Sequence, residues 1–102
     1  MLRDLWLATQ SLPEYRGTTA IVLATDHGRG DGTRWTDHGR DVPEAEFVWL
    51  AVMGPGVAAR GLRDDVAVTQ GQFAATVARL VGENFLTAAP RAAPPLPAFT
   101  TP

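Results

Sequence analysis

The chain has 102 residues, enough for one small domain, with nine basic and eleven acidic residues and a formal charge of −2. All the basic residues are arginines, scattered among the acids, and this balance favours neither nucleic acid nor an anionic membrane surface. There is no cysteine, which excludes disulfides, thiolate catalysis and cysteine-ligated zinc.

Leu2, Leu5 and Trp6 share one helical face, with Arg3, Asp4 and Gln10 elsewhere, so residues 2–10 predict a helix that ends before Pro13. The opening Met1-Leu2-Arg3-Asp4 lacks the basic-then-apolar pattern of a signal peptide, so none is expected in this stretch. Glu14 to Gly17 reads as a turn. Residues 18–25 contain the continuous apolar run Ala20-Ile21-Val22-Leu23-Ala24, the pattern of a strand buried on both faces. Residues 28–46 mix Gly28, Gly30, Gly32, Gly39 and Pro43 with charged side chains and predict a long loop, a class of connection that often carries function. Phe47 to Met53 predicts a second continuous apolar strand, closed by Gly54-Pro55-Gly56.

Residues 57–68 read as irregular. Thr69 and Gln72 fit a capping box ahead of Phe73, Ala74, Val77, Leu80 and Val81 at helical spacing, with Gly82 as the stop. From Ala88 the chain is rich in alanine and proline (Pro90, Pro94, Pro95, Pro97, Pro102) and is expected to be an extended or disordered tail. The organisation expected is therefore an α/β unit over residues 1–87 followed by a tail over 88–102. No apolar run approaches the roughly 20 residues of a membrane span, so no span is expected.

Two strands that are apolar on both faces call for further strands at their edges and helices on both sides. This chain supplies about two of each, and an isolated two-stranded sheet is marginal. The expectation is that the chain packs as part of a larger α/β domain.

The chemistry concentrates in a repeated triplet, Asp26-His27-Gly28 and Asp37-His38-Gly39, which holds both histidines of the protein. Imidazole and carboxylate bind zinc and similar divalent ions, and a strand end is where α/β sheets present their chemistry. A turn after the strand lets Asp26 and His27 converge on one ion. Gly28 allows a close backbone approach, and His38 on the returning loop can serve the same or a neighbouring ion. The competing reading is a turn-capping aspartate with solvated loop histidines.

Thr18 to Gly30, with Asp26-His27-Gly28 at its end, resembles the C-terminal metal-binding segment of the alkaline phosphatase superfamily. That superfamily comprises alkaline phosphatases, type I phosphodiesterases, arylsulfatases and cofactor-independent phosphoglycerate mutases. Trp35-Thr36-Asp37-His38-Gly39 resembles the segment with its last metal-binding histidine. Phe47 to Gly56 resembles the following strand and GPG turn, and Val68 to Gly82 the late helix. The similarity extends over about residues 3–97. It implies the C-terminal portion of a three-layer α/β/α fold, with Asp26 and His27 on one metal and His38 on the other of two zinc ions in the complete enzyme. It also implies a small-molecule phosphate or sulfate ester as substrate, no nucleic acid as partner, and periplasmic or secreted relatives. It leaves Asp37 without a role. Arg29 and Arg34 are read as surface or salt-bridge residues that are also candidates to approach an anionic substrate, and Trp35 as a packing or pocket residue.

The early elements of that superfamily are not recognisable here. These are a nucleophilic Ser, Thr or modified Cys at a helix N-terminus, an early Asp, and an upstream Asp and His. Ser11 is the sole serine and lacks the Gly-x-Ser-x-Gly context. Gly28 to Gly32 lacks the lysine and strand-to-helix setting of a phosphate-binding loop. The chain is therefore expected to be the metal-binding C-terminal segment of an ester hydrolase, inactive alone, with the N-terminal part of the same domain as its partner. The alternative is a non-catalytic α/β module that binds metal or another protein.

Overall fold

A computed structural model describes residues 1–97. The chain is a mixed α/β protein. Helix α1 spans Leu2–Ser11, strand β1 Ile21–Ala24, strand β2 Leu50–Met53, helix α2 Phe73–Leu80 and helix α3 Phe85–Ala88, with short 3-10 turns at Gly32–Arg34 and Gln70–Gln72. The strands form a two-stranded antiparallel sheet in which Ile21 faces Met53 and Ala24 faces Leu50.

Each strand is shorter than its apolar run. The pairing stops at Ala24 and Leu50, although Thr25 N–H still reaches Trp49 O at 3.4 Å. Gly54 follows β2 at φ 134°, where a Cβ would lie 2.6 Å from Ala20 Cα. Glycine is required there for the strands to close. The expectation of strands buried on both faces is corrected: every residue of β1 and β2 is only half-buried. The physical reason is the strand count. With two strands, each has one free edge, and one flank of β2 opens into a groove of about 900 Å³ lined by Leu50, Val52, Trp6, Val66 and Leu96.

The capping box of Thr69 and Gln72 forms, with Gln72 Oε1 accepting the Thr69 N–H at 2.9 Å, but it opens the 3-10 turn Gln70–Gln72 rather than α2, whose own N-cap, Gln72, makes no side-chain cap hydrogen bond. Helix α2 ends in a Schellman arrangement. Gly82 lies at φ 83°, its N–H bonds Arg79 O at 3.1 Å, and Glu83 N–H bonds Ala78 O at 2.9 Å. This satisfies carbonyls that the helix end would otherwise leave open. Helix α3, started by Asn84 Oδ1 accepting from Leu86 N at 3.1 Å, is an element the sequence reading did not resolve.

The chain beyond α3 turns back onto α2. Thr76 is fully buried, and its hydroxyl donates to Gln72 O at 2.7 Å and accepts the Leu96 N–H at 2.9 Å. Gln72 Nε2 donates to Pro94 O at 3.3 Å. Leu96 and Ala75 are buried at this seam. Residues 98–102 of the proposed tail lie outside the described residues.

The core is small. Among the described residues only Val42, Ala45, Ala75 and Leu96 are buried apolar positions, and α1 buries none of its residues. The accessible surface is 7828 Å². A compact monomer of 10.9 kDa would expose about 5,600 Å². The radius of gyration, 15.9 Å, likewise exceeds the roughly 13 Å of a compact 100-residue domain. No helix among the described residues is long and apolar enough to cross a membrane.

Thr76→Val removes the hydroxyl while keeping the side-chain shape, leaving the Leu96 N–H buried without an acceptor. We expect a loss of about 1–3 kcal/mol in urea unfolding, with Thr76→Ser costing clearly less. Equal losses for the two variants would show that packing, not the hydroxyl, holds the seam.

Candidate metal centre

The loop from Gly28 to Glu46 folds back on the end of β1. Gly28 N–H bonds Ala45 O at 2.8 Å, and Gly30 N–H bonds Asp37 O at 2.8 Å. A Cβ on Gly28 would strike Phe47 O and lie 2.6 Å from Glu44 O, so only glycine permits this approach. Val42 and Ala45 form the buried heart of the loop, with Val42 Cγ1 against Gly30. Ahead of the 3-10 turn, Asp31 Oδ1 accepts the Gly32 N–H at 2.6 Å.

This closure brings the two histidines together. Their rings stack with centroids 4.2 Å apart and planes 10° from parallel. In each ring Nδ1 faces a carbonyl oxygen, Gly28 O at 2.6 Å for His27 and Thr36 O at 3.3 Å for His38. A carbonyl oxygen only accepts, so each contact is a hydrogen bond in the tautomer that carries hydrogen on Nδ1. In the neutral tautomer each Nε2 then keeps its lone pair, the arrangement that orients metal-binding histidines.

Asp26 divides its carboxylate between two tasks. Oδ1 accepts the His27 N–H at 3.0 Å, which is the turn-capping role, and Oδ2 lies 3.5 Å from His27 Nε2. Two donor atoms bound to a tetrahedral zinc at 2.0–2.1 Å stand roughly 3.4 Å apart. Oδ2 and Nε2 thus already stand at the spacing of two ligands on one ion, and both side chains are open to solvent.

Asp26 and His27 thus offer two donor atoms of types that divalent ions take, at a spacing that an ordinary His–Asp contact also has. His38 is placed differently. Ring lone pairs lie in the ring plane, so two parallel stacked rings do not aim them at one point. Among the described residues no group of three or more His, Cys, Asp or Glu side chains gathers around a single ion position.

Two further residues shape the edge. Gln70 Nε2 donates to Asp26 O at 2.7 Å and Thr25 O at 3.2 Å, tying the start of α2 to the end of β1. Sequence reading missed this role. The available signal was a long amide side chain just after the helix cap. Thr25 Oγ1 is buried beside Asp26 and has no hydrogen-bond partner among the described residues.

One ion pair forms among the other charges of the loop. Asp37 bonds Arg34 Nε at 2.9 Å, and that hydrogen bond raises the Arg34 pKa from its ordinary value, with smaller help from the charges of Asp37 and Asp41. Arg29 instead places its guanidinium over the Trp35 ring, 5.3 Å from the centroid.

No protein-family model matches the chain, and no curated protein or solved structure matches it either.

Gly28→Ala should open the loop at its narrowest point and cost about 1–3 kcal/mol by forced overpacking. Hydrogen exchange of the Gly30 amide should then accelerate. Unchanged protection of Gly30 in that variant would contradict the closed loop.

Proposed function

We propose that the chain is the metal-binding C-terminal segment of a divalent-metal-dependent phosphate- or sulfate-ester hydrolase of the alkaline phosphatase superfamily. In this reading Asp26 and His27 hold one ion and His38 a second. The observation that carries it is the 3.5 Å separation of Asp26 Oδ2 and His27 Nε2, both on the solvent edge of a strand end. The stacked rings keep both imidazoles on the same edge of the loop.

Imidazole and carboxylate donors suit zinc and similar divalent ions. A bound ion supplies Lewis-acid stabilisation of ester oxygens. The chain's own residues orient the donors. Asp26 keeps one oxygen on its turn and the other on the ion edge, Gly28 and Thr36 carbonyls fix the two ring tautomers, and Gln70 holds the Asp26 backbone in place.

The rest of the reading concerns what this chain lacks. No recognisable nucleophile accompanies Asp26, His27 and His38, and two donors on one edge leave an ion's remaining positions open. We propose that the N-terminal part of an alkaline-phosphatase-like α/β/α domain completes both the coordination and the sheet. The surface in excess of a compact monomer, the half-buried strands and the apolar groove beside β2 support a chain that packs against more protein.

Zinc titration by calorimetry tests the metal assignment. We expect binding to the wild-type chain that falls by about tenfold or more in Asp26→Ala and His27→Ala, the loss of one ligand from a sparse set. Equal, negligible binding in wild type and variants would overturn the assignment. Phosphomonoesterase, phosphodiesterase and sulfatase assays on the isolated chain should be blank. Activity that disappears in His27→Ala would refute the proposal that the nucleophile lies elsewhere.

A further inference from the structure

The histidine loop closes where its far end meets Gly28, and the turn that brings it there holds one residue in an unfavourable backbone state. Glu44 lies at φ 74°, the one non-glycine residue at positive φ among the described residues. The turn around it runs from Val42 to Ala45. Ala45 N–H bonds Val42 O at 3.2 Å, and Pro43 occupies the second position. Proline locks its own φ near −65°, so a positive φ at the third position makes this a type II turn. That position favours glycine, which has no Cβ to crowd, or asparagine. Glutamate has neither advantage. A residue in such a state persists only where its surroundings over-determine it.

The surroundings do so here. Val42 and Ala45, the first and last residues of the turn, are two of the four buried apolar positions among the described residues. Ala45 O accepts the Gly28 N–H at 2.8 Å. Glu44 O accepts the Phe47 N–H at 3.1 Å and lies 2.6 Å from where a Cβ on Gly28 would stand. The Glu44 side chain takes no part. It is solvent-exposed and makes no hydrogen bond or ion pair among the described residues. No contact of the carboxylate therefore offsets the strain. Burial of the two flanking residues and the backbone bonds at Gly28 carry it, so closing the loop forces Glu44 into its state and opening the loop relieves it.

We propose that the turn from Val42 to Ala45 is a strained latch. It holds the loop through residues 28–46 closed by a small margin, and the stacked His27–His38 pair exchanges with an opened loop in which the two imidazoles part. The strain at Glu44 sets that margin. Elements that open in function come from the low-stability end of a structure, and a ligand that binds the closed form better shifts the balance toward it. An ion centre that draws on both limbs of the loop, Asp26 and His27 on one and His38 on the other, is such a ligand. The latch rests on the proposed function for the identity of that ligand, but not for its own strain.

The test is amide hydrogen exchange in the full chain, with and without zinc. The variants are Glu44→Gly, Glu44→Asn and Glu44→Ala, each first checked for wild-type circular dichroism. The Gly28 and Gly30 amides report closure, because they bond Ala45 O and Asp37 O across the loop. Glu44→Gly should slow both by about fivefold, the factor that about 1 kcal/mol of relieved strain gives. Glu44→Asn should slow them less. Glu44→Ala keeps the strain and removes the carboxylate, so its rates should stay within about twofold of wild type. The Leu96 amide, bonded to Thr76 at the other seam, should keep its wild-type rate throughout. Exchange in Glu44→Gly as fast as in wild type, or slowed equally at Leu96, overturns the proposal. So does a Glu44→Ala variant that exchanges much faster than wild type, since the carboxylate would then hold the loop. Zinc should slow Gly28 and Gly30 in the wild-type chain. Rates that ignore zinc while the Glu44 series keeps its order overturn the metal reading and leave the latch standing.

Discussion

Everything distinctive in this molecule depends on one close approach. The missing side chain of Gly28 lets the backbone carbonyls of Glu44 and Phe47 crowd against it, and its N–H bonds Ala45 O. That contact folds the loop through residues 28–46 back onto the end of β1. The fold-back in turn stacks His27 on His38, buries Val42 and Ala45, and sets Arg29 on Trp35. The order in this loop comes from backbone hydrogen bonds and short-range ring contacts rather than from a large apolar core. Its geometry should therefore be sensitive to single backbone changes.

The second seam uses the same economy. Thr76 and Gln72, both polar and buried, hold the returning chain through Leu96 N–H and Pro94 O. A buried hydroxyl with both its donor and acceptor roles filled is cheap, and each lost partner leaves a desolvated group behind. Polar stitching of this kind organises a chain whose apolar burial is modest. The exposed Leu5, Leu7, Trp49 and Leu62 fit the same picture, as does the groove along β2: much of this chain's apolar surface is still uncovered.

What was legible in the sequence was mostly local. Thr69 and Gln72 announce the 3-10 turn that leads into α2 because a capping box needs only residues three apart, and Gly82 announces the end of α2 because the αL position there favours glycine. The apolar runs at Ala20–Ala24 and Phe47–Met53 marked both strands, but not how little of them would pair. That outcome depends on neighbours that periodicity cannot reveal. Asp26 and His27 could be singled out from their place at a strand end. The stacking of His38 on His27, the Gln70 tie to Asp26 O and the Arg29–Trp35 pair each depend on the path of a long loop. No local rule sets that path. Helix α3 escaped notice because four residues are too few to show a period.

The central proposal, that His27 and His38 are prepared as metal ligands through Nε2, can be tested on the rings themselves. Long-range nitrogen–proton NMR of the histidine side chains reports which nitrogen carries the hydrogen and which responds to an added ion. The account predicts that both rings in the metal-free chain at neutral to alkaline pH carry hydrogen on Nδ1, and that both Nε2 resonances move on addition of zinc. Hydrogen on Nε2 in either ring, or Nε2 resonances that ignore zinc, would contradict it.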